Sequence, residues 1–336
     1  MTKILNDVLT IDADTRAEVV NKVAEIMRDI FVFPESGVEM SDFVSKKLAG
    51  GEYDEFGEIK PFCSKLTEDL RSICHDKHLF VFYNPEEAVE VRAAKNLLSE
   101  AETAKVKAMY KVWYERQNYG FQKVEILKGN IGYLKLDTFP GIRGADTCIS
   151  AMGFLENTNA IIIDLRDNGG GEGFDGLLSS YFFTAEKVLL GSAKYRDPAL
   201  NTESWTLPYV PGKRLPEIDL YILTSSRTFS AAEGFTYDLQ QLKRAVVVGE
   251  TTKGGAHPID VLIVKGDILT QVPIGCSYNP ISKKNWEKSG VIPDIVTSDD
   301  AALKTAHITA LEKVIGKIGD EEYKKQLSKV LEGLKV

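Results

Sequence analysis

From residue 121 onward, short apolar runs alternate with amphipathic stretches, and this alternation restricts the fold more than any other feature of the chain. Runs at 124–126, 131–136 and 160–165 read as strands, with a helix expected over about 144–156 before the third. A helix is expected over about 173–183, and further strands at 220–223, 245–248, 261–264 and 268–272. Strands that alternate with helices imply an α/β core with substantial parallel pairing.

The flanks read differently. Thr15 and Glu18 form a capping box, and Val19, Val23, Ile26 and Ile30 then share one helical face until Pro34. Phe43, Val44 and Leu48 suggest a second helix, stopped by Gly50-Gly51. Phe62, Leu66, Leu70 and Ile73 suggest a third that ends near His75, before a short strand at 79–83. Residues 87–117 form a charged, alanine-rich stretch that reads as a solvated helix. The tail, 301–336, reads as two amphipathic helices split at Gly319. The expected organisation is a helical domain over 1–79, a connector over 80–120, a core over 121–300 and C-terminal helices over 301–336.

Composition excludes some classes. Among 336 residues, 43% are hydrophobic and 27% charged, enough for a sizeable core. The net charge of -8, with both signs interspersed, argues against a nucleic-acid footprint. No apolar stretch approaches the length of a membrane span. Met1 to Arg16 lacks the basic flank and apolar centre of a signal peptide, and the compartment stays open. Cys63, Cys74, Cys148 and Cys276 form no C-x-x-C pair and no zinc-type cluster with histidine, so they read as buried thiols. Neither a metal nor an organic cofactor is implied.

Chemistry concentrates in a few places. The stretch 224–233, Thr-Ser-Ser-Arg-Thr-Phe-Ser-Ala-Ala-Glu, follows an apolar strand and precedes a helical face of Phe235, Leu239 and Leu242. A serine there meets free N–H groups and the positive end of the helix dipole, which favour a developing oxyanion. Ser230 is therefore a candidate nucleophile. The same residue, with Glu233, is also a capping box, in which it would only satisfy a helix N–H. The loop Asp164-Leu165-Arg166-Asp167-Asn168-Gly169-Gly170-Gly171 closes a strand, and its glycines can turn N–H groups into one concavity. That is half of an oxyanion hole or simply a tight turn. Four histidines are available as a base: His75 and His78 at a helix-to-strand turn, His257 after a glycine pair, and His307, which reads as a surface residue of the tail. Spacing alone does not choose among them. Glu287 is a carboxylate that can orient an imidazole or lie exposed.

In order, six segments resemble the C-terminal processing (tail-specific) serine peptidase superfamily. They are Asp76-Lys77-His78-Leu79, residues 129–134, residues 164–171, residues 224–233, residues 249–258 and residues 286–294. The nearer likeness is to the interphotoreceptor retinoid-binding protein-like branch, related to the tricorn core protease. The resemblance implies an α/β fold with a ClpP/crotonase-like spiral core of βαβ units, preceded by a small helical domain. It implies Ser230 as nucleophile, His78 as base, Glu287 as the acid of the relay, and the N–H groups of Ala231 and Gly170 as oxyanion hole. The expected substrate is a peptide or unfolded protein.

Two departures bear on mechanism. Processing peptidases of the other branch use a lysine base, whose position falls at Gly255 here, and Lys253 two residues earlier is rejected for that role. The PDZ domain of that branch has no room between His78 and Phe121. Two rival functions remain on the same scaffold: a module binding retinoid- or fatty-acid-like apolar ligands without turnover, and, ranked last, a crotonase-like acyl-CoA enzyme.

Overall fold

The computed structural model describes residues 9–173 and 175–335, which divide into two compact units. Residues 1–8, within the stretch read for a signal peptide, and Phe174, within the expected helix over 173–183, lie outside the described residues.

The helical unit comprises residues 9–110, 194–201 and 257–276. It opens with helices Ala13–Ile30, Pro34–Ala49 and Ile59–Cys74. Asp12, rather than Thr15, caps the first, accepting the Thr15 N–H at 2.7 Å. Pro34 does more than stop that helix: it occupies the first turn of the next, where its missing N–H costs nothing. Val19, Val23, Met27, Phe31, Phe62, Leu66 and Leu70 form the core of this unit, and Ile268 and Val272 join them. Each such side chain, fully buried, contributes about 1.5–3 kcal/mol of transfer free energy. Ile268 and Val272 belong to an antiparallel sheet in the order Phe80–Tyr83, Ile268–Pro273, Ile259–Lys265. The segment 257–276, expected inside the 121–300 core, therefore clusters with the N-terminal helices. The charged stretch resolves into two helices, Pro85–Ala94 and Glu100–Arg116, capped by Asn84 and Ser99 respectively.

The sheet unit comprises residues 111–193, 202–256 and 277–335. Six strands run in the order Ile295–Val296, Val246–Gly249, Asp219–Thr224, Ala160–Asp164, Ile131–Leu136, Phe121–Leu127. All neighbours are parallel except the last pair. Alternate residues explain the apolar runs. Ile161, Ile163, Leu220 and Ile222 pack with residues of helices Ala145–Leu155 and Ala231–Gln241. Ala160, Ile162, Tyr221 and Leu223 pack with residues of the tail helices, Asp299–Lys317 and Glu321–Lys335. Both faces are covered, as parallel strands require.

Three local readings change. The helix expected over 173–183 is described only as Asp175–Ser180. Strands Leu189–Tyr195 and Thr202–Trp205, unmarked in the sequence, pair antiparallel from Leu189 opposite Trp205 to Ala193 opposite Thr202. His307 is not a surface residue: it is 7% exposed, and its Nε2 lies 2.8 Å from the Lys128 carbonyl. Burial pushes its pKa down, so the ring is neutral and donates from Nε2.

The four cysteines are free thiols, and burial pushes Cys63 and Cys148 up to about 12. Among the described residues, no helix is long and apolar enough to cross a membrane.

Candidate active site

Strand Asp219–Thr224 ends in a turn that leads straight into helix Ala231–Gln241. Side chains stitch this turn to the one that follows strand Ala160–Asp164. Ser225 Oγ donates to the Arg166 carbonyl at 2.6 Å, Thr228 Oγ1 to the Leu165 carbonyl at 2.8 Å, and Phe229 N to the Asn168 carbonyl at 3.0 Å. Ser230 sits at φ 55° and ψ -121°, a conformation that a non-glycine residue adopts only when its surroundings hold it there. It is half-buried and stands at the N-cap, so Ala231 opens the helix with an N–H that has no partner one turn back.

Gly170 presses against this corner. At φ 101°, a Cβ on it would lie 2.7 Å from Ser230 Cβ, 2.9 Å from the Phe229 carbonyl oxygen and 3.1 Å from Ala231 N. Only glycine allows that approach. The Gly170 N–H donates to Asn168 Oδ1 at 2.8 Å, and Asn168 Nδ2 donates to the Leu136 carbonyl at 2.9 Å. Ser230, Ala231 and Gly170 are thus brought together within one unit.

Glu233, noticed in the sequence only as a capping partner, is the hub of this corner. It is fully buried. Its Oε2 accepts Ser230 N and Gly255 N, each at 2.9 Å, and its Oε1 accepts Gly254 N at 2.6 Å and the Thr252 hydroxyl. Burial pushes its carboxyl above the usual range, and the four donors pull it part of the way back. The loop that Glu233 holds continues to Ala256, whose N–H donates to Glu287 Oε2 at 2.6 Å. Trp286 Nε1 donates to the Gly255 carbonyl at 2.8 Å, and Val291 N to Thr252 Oγ1 at 2.7 Å. Glu287 is therefore fixed on an arm that Glu233 links to the serine corner. Lys253 runs alongside: its N–H meets the Thr228 carbonyl at 3.0 Å, and its ammonium lies 4.6 Å from the centre of the Phe229 ring.

His78 belongs to the helical unit. Helix Ile59–Cys74 ends at His75, which is left-handed at φ 56°, and the chain turns through Asp76. Asp76 Oδ1 accepts the His78 N–H at 2.8 Å. Arg71 donates to the Lys77 carbonyl at 2.7 Å and the Leu79 carbonyl at 2.8 Å, while Gln271 Nε2 donates to the His78 carbonyl at 2.7 Å. The backbone around His78 is thereby pinned on both sides, and its side chain is buried. His78 Nδ1 lies 3.9 Å from Asp76 Oδ1. The other oxygen of Asp76 meets His257 Nδ1 at 2.5 Å. Burial pushes the Asp76 carboxyl up, but the hydrogen bond and charge of His257, with the N–H of His78, outweigh it and hold the group below the usual carboxylate range. Both segments stand out in the sequence, but 181 positions separate the pair and nothing local joins them.

The profile of peptidase family S41 matches residues 130–297. The profile of the N-terminal domain of that family in eukaryotic IRBP matches residues 6–112. Carboxyl-terminal-processing peptidase 1, chloroplastic, from Arabidopsis thaliana is 29% identical over 178 residues, covering 53% of this chain and 35% of that protein. The aligned part is thus about a third of that relative. Among solved structures, a candidate peptidase from Parabacteroides merdae aligns at 15% identity with a TM-score of 0.61, over 90% of this chain and 99% of that one. The tricorn protease aligns at 15% identity with a TM-score of 0.52, over 96% of this chain and 37% of that one. These two likenesses show the fold: a mixed α/β core with helices at both ends.

Proposed function

Because the chain belongs to peptidase family S41, we propose that it hydrolyses peptide bonds in peptides or unfolded polypeptide, with Ser230 as nucleophile, His78 as base and Glu287 as the acid of the relay. One observation carries the reading. Ser230 is held at a positive φ on a helix N-terminus, with Gly170 packed so closely that no side chain fits between them. A serine serving only as a cap needs neither feature.

In this reading, Ser230 Oγ attacks the substrate carbonyl while its proton passes to His78. The tetrahedral oxyanion accepts hydrogen bonds from the N–H groups of Ala231 and Gly170. The Gly170 N–H rests on Asn168 in the free protein and would be shared with the oxyanion. His78 returns the proton to the leaving amine, which departs as the C–N bond breaks. Water, giving its proton to His78, then attacks the acyl-enzyme and releases the acid with Ser230 restored. Glu287 steadies the imidazolium between these steps. The test is hydrolysis of fluorescein-labelled casein: wild type should release fluorescent peptides, and Ser230→Ala should lose about 10⁴-fold or more in rate. Equal rates would refute the assignment.

The N-terminal domain found in eukaryotic IRBP matches residues 6–112, and this favours a second reading, a carrier of retinoid- or fatty-acid-like ligands. Saturable retinol binding by a protein that leaves casein intact would establish it instead.

A further inference from the structure

Asp76 and His257 form a contact that the relay above does not use. They are 3% and 7% exposed, and 2.5 Å separates Asp76 Oδ2 from His257 Nδ1. A carboxylate held in its ionised form offers only acceptors, so the proton in this contact belongs to His257 Nδ1. The tautomer of His257 is thereby set. Phe33 closes over the ring edge-on, with centroids 5.4 Å apart. The remaining oxygen of Asp76 takes the His78 N–H at 2.8 Å and lies 3.9 Å from His78 Nδ1. One buried carboxylate therefore stands between two imidazoles, bonded to the ring of one and to the backbone of the other.

We propose that Asp76 is a positioning residue for His78, and that His257 is the partner that keeps Asp76 oriented. This rests on the assignment of His78 as base. When the Ser230 Oγ–H bond breaks, the proton ends on the His78 ring and Asp76 stays a carboxylate. Its negative charge next to Nδ1 favours the imidazolium that forms, and its bond to the His78 N–H holds the turn from which that ring projects. His257 acts on His78 through Asp76. Replacing it frees the carboxylate to rotate and removes the donor that offsets its burial.

The experiment uses the intact chain and the rate of inactivation by an ethoxyfluorophosphonate, resolved into the maximal rate and the half-saturating concentration. His257→Leu should lower the maximal rate about 10–100-fold, the range typical of lost orienting partners, with the half-saturating concentration little changed. His257→Asn, which sets an amide donor near the place of Nδ1, should recover much of that loss. Asp76→Asn should lose more than either. In proton NMR, the wild type should show a far-downfield imidazole resonance that His257→Leu abolishes. Should Asp76→Asn fail to fold, the contrast between leucine and asparagine at 257 carries the test.

The proposal is overturned if His257→Leu reacts like wild type, if leucine and asparagine impair it equally, or if the downfield resonance survives His257→Leu. Absence of labelling in wild type would instead count against Ser230 as nucleophile, and the resonance would still report on the Asp76–His257 contact.

Discussion

Each unit buries a carboxylate beside a candidate site residue, and the two are used differently. Glu233, in the sheet unit, collects the N–H groups of Ser230, Gly254 and Gly255 and a threonine hydroxyl. Asp76, in the helical unit, takes one backbone N–H and one imidazole and lies beside a second imidazole. Glu233 therefore sets where the main chain goes, and with it the strained φ of Ser230. Asp76 sets which nitrogen of a histidine carries a proton. The direction of their pKa shifts follows the same division. Burial wins at Glu233, while at Asp76 the hydrogen bonds and charges of His257 and His78 together outweigh it. At Glu233 complete burial outweighs four neutral donors, whereas at Asp76 the donors are joined by the charge of neighbouring imidazoles.

Four measurements would break or sharpen this comparison. The largest effect is expected at the backbone-built corner. Gly170→Ala places a methyl group 2.7 Å from Ser230 Cβ, so turnover should fall by about 10²–10³-fold, as for loss of an oxyanion donor. An alanine variant with normal turnover would show that the close approach has no catalytic consequence.

Glu233→Gln comes next. The amide turns two donors toward a ring of donors, and unfolding in urea should show a loss of about 1–3 kcal/mol. Turnover should fall about tenfold with it, because the Ser230 turn relaxes. Unchanged stability would mean that the four contacts do not hold the corner.

The third measurement is stability against pH, where the two carboxylates should act with opposite signs. Glu233 has a raised folded pKa, so the folded state binds its proton more tightly and its contribution is lost as pH rises through that value. Asp76 has a depressed folded pKa, so its contribution is present above about pH 4 and is lost as pH falls through the folded value. Relative to wild type, Glu233→Gln should gain stability more steeply as pH rises above about 4.3. Asp76→Asn should lose less stability on acidification below about 3.9. Parallel curves for all three proteins would contradict the division drawn here.

The smallest effect is expected at Lys253. Its main-chain N–H binds the serine turn, but its ammonium stands over the Phe229 ring. Lys253→Ala should keep turnover within about threefold, since an exposed contact of this kind is worth about 0.5–1 kcal/mol. A loss of several orders of magnitude would make the lysine, and not His78, the base.

Legibility in the sequence followed the range of the interactions. The strand runs at 131–136, 160–165 and 220–223 were readable because successive residues face covered sides of one sheet, Ile161 and Ile163 one way and Ile162 the other. Ser230 and Gly170 were readable because glycines and a capping serine mark local turns. Strand Leu189–Tyr195 was not, since Gly191, Ser192 and Lys194 interrupt its apolar pattern and its half-buried surface gives no clear alternation. The burial of His307 is not legible because the small residues that share its helix, Ala302, Ala306 and Ala310, signal a close approach only when their partner strands are known. Glu233 was visible as a cap, but its bonds to Gly254 and Gly255 span more than twenty positions. The Asp76–His257 contact spans 181, and no local rule of spacing reaches that far.

The most direct test of the account is to digest the protein after reaction with the fluorophosphonate and to map the adduct by mass spectrometry. The account predicts a single adduct on Ser230 in the wild type, and its disappearance in His78→Gln although Ser230 is still present. An adduct on another residue, or equal modification of Ser230 in His78→Gln, would contradict it.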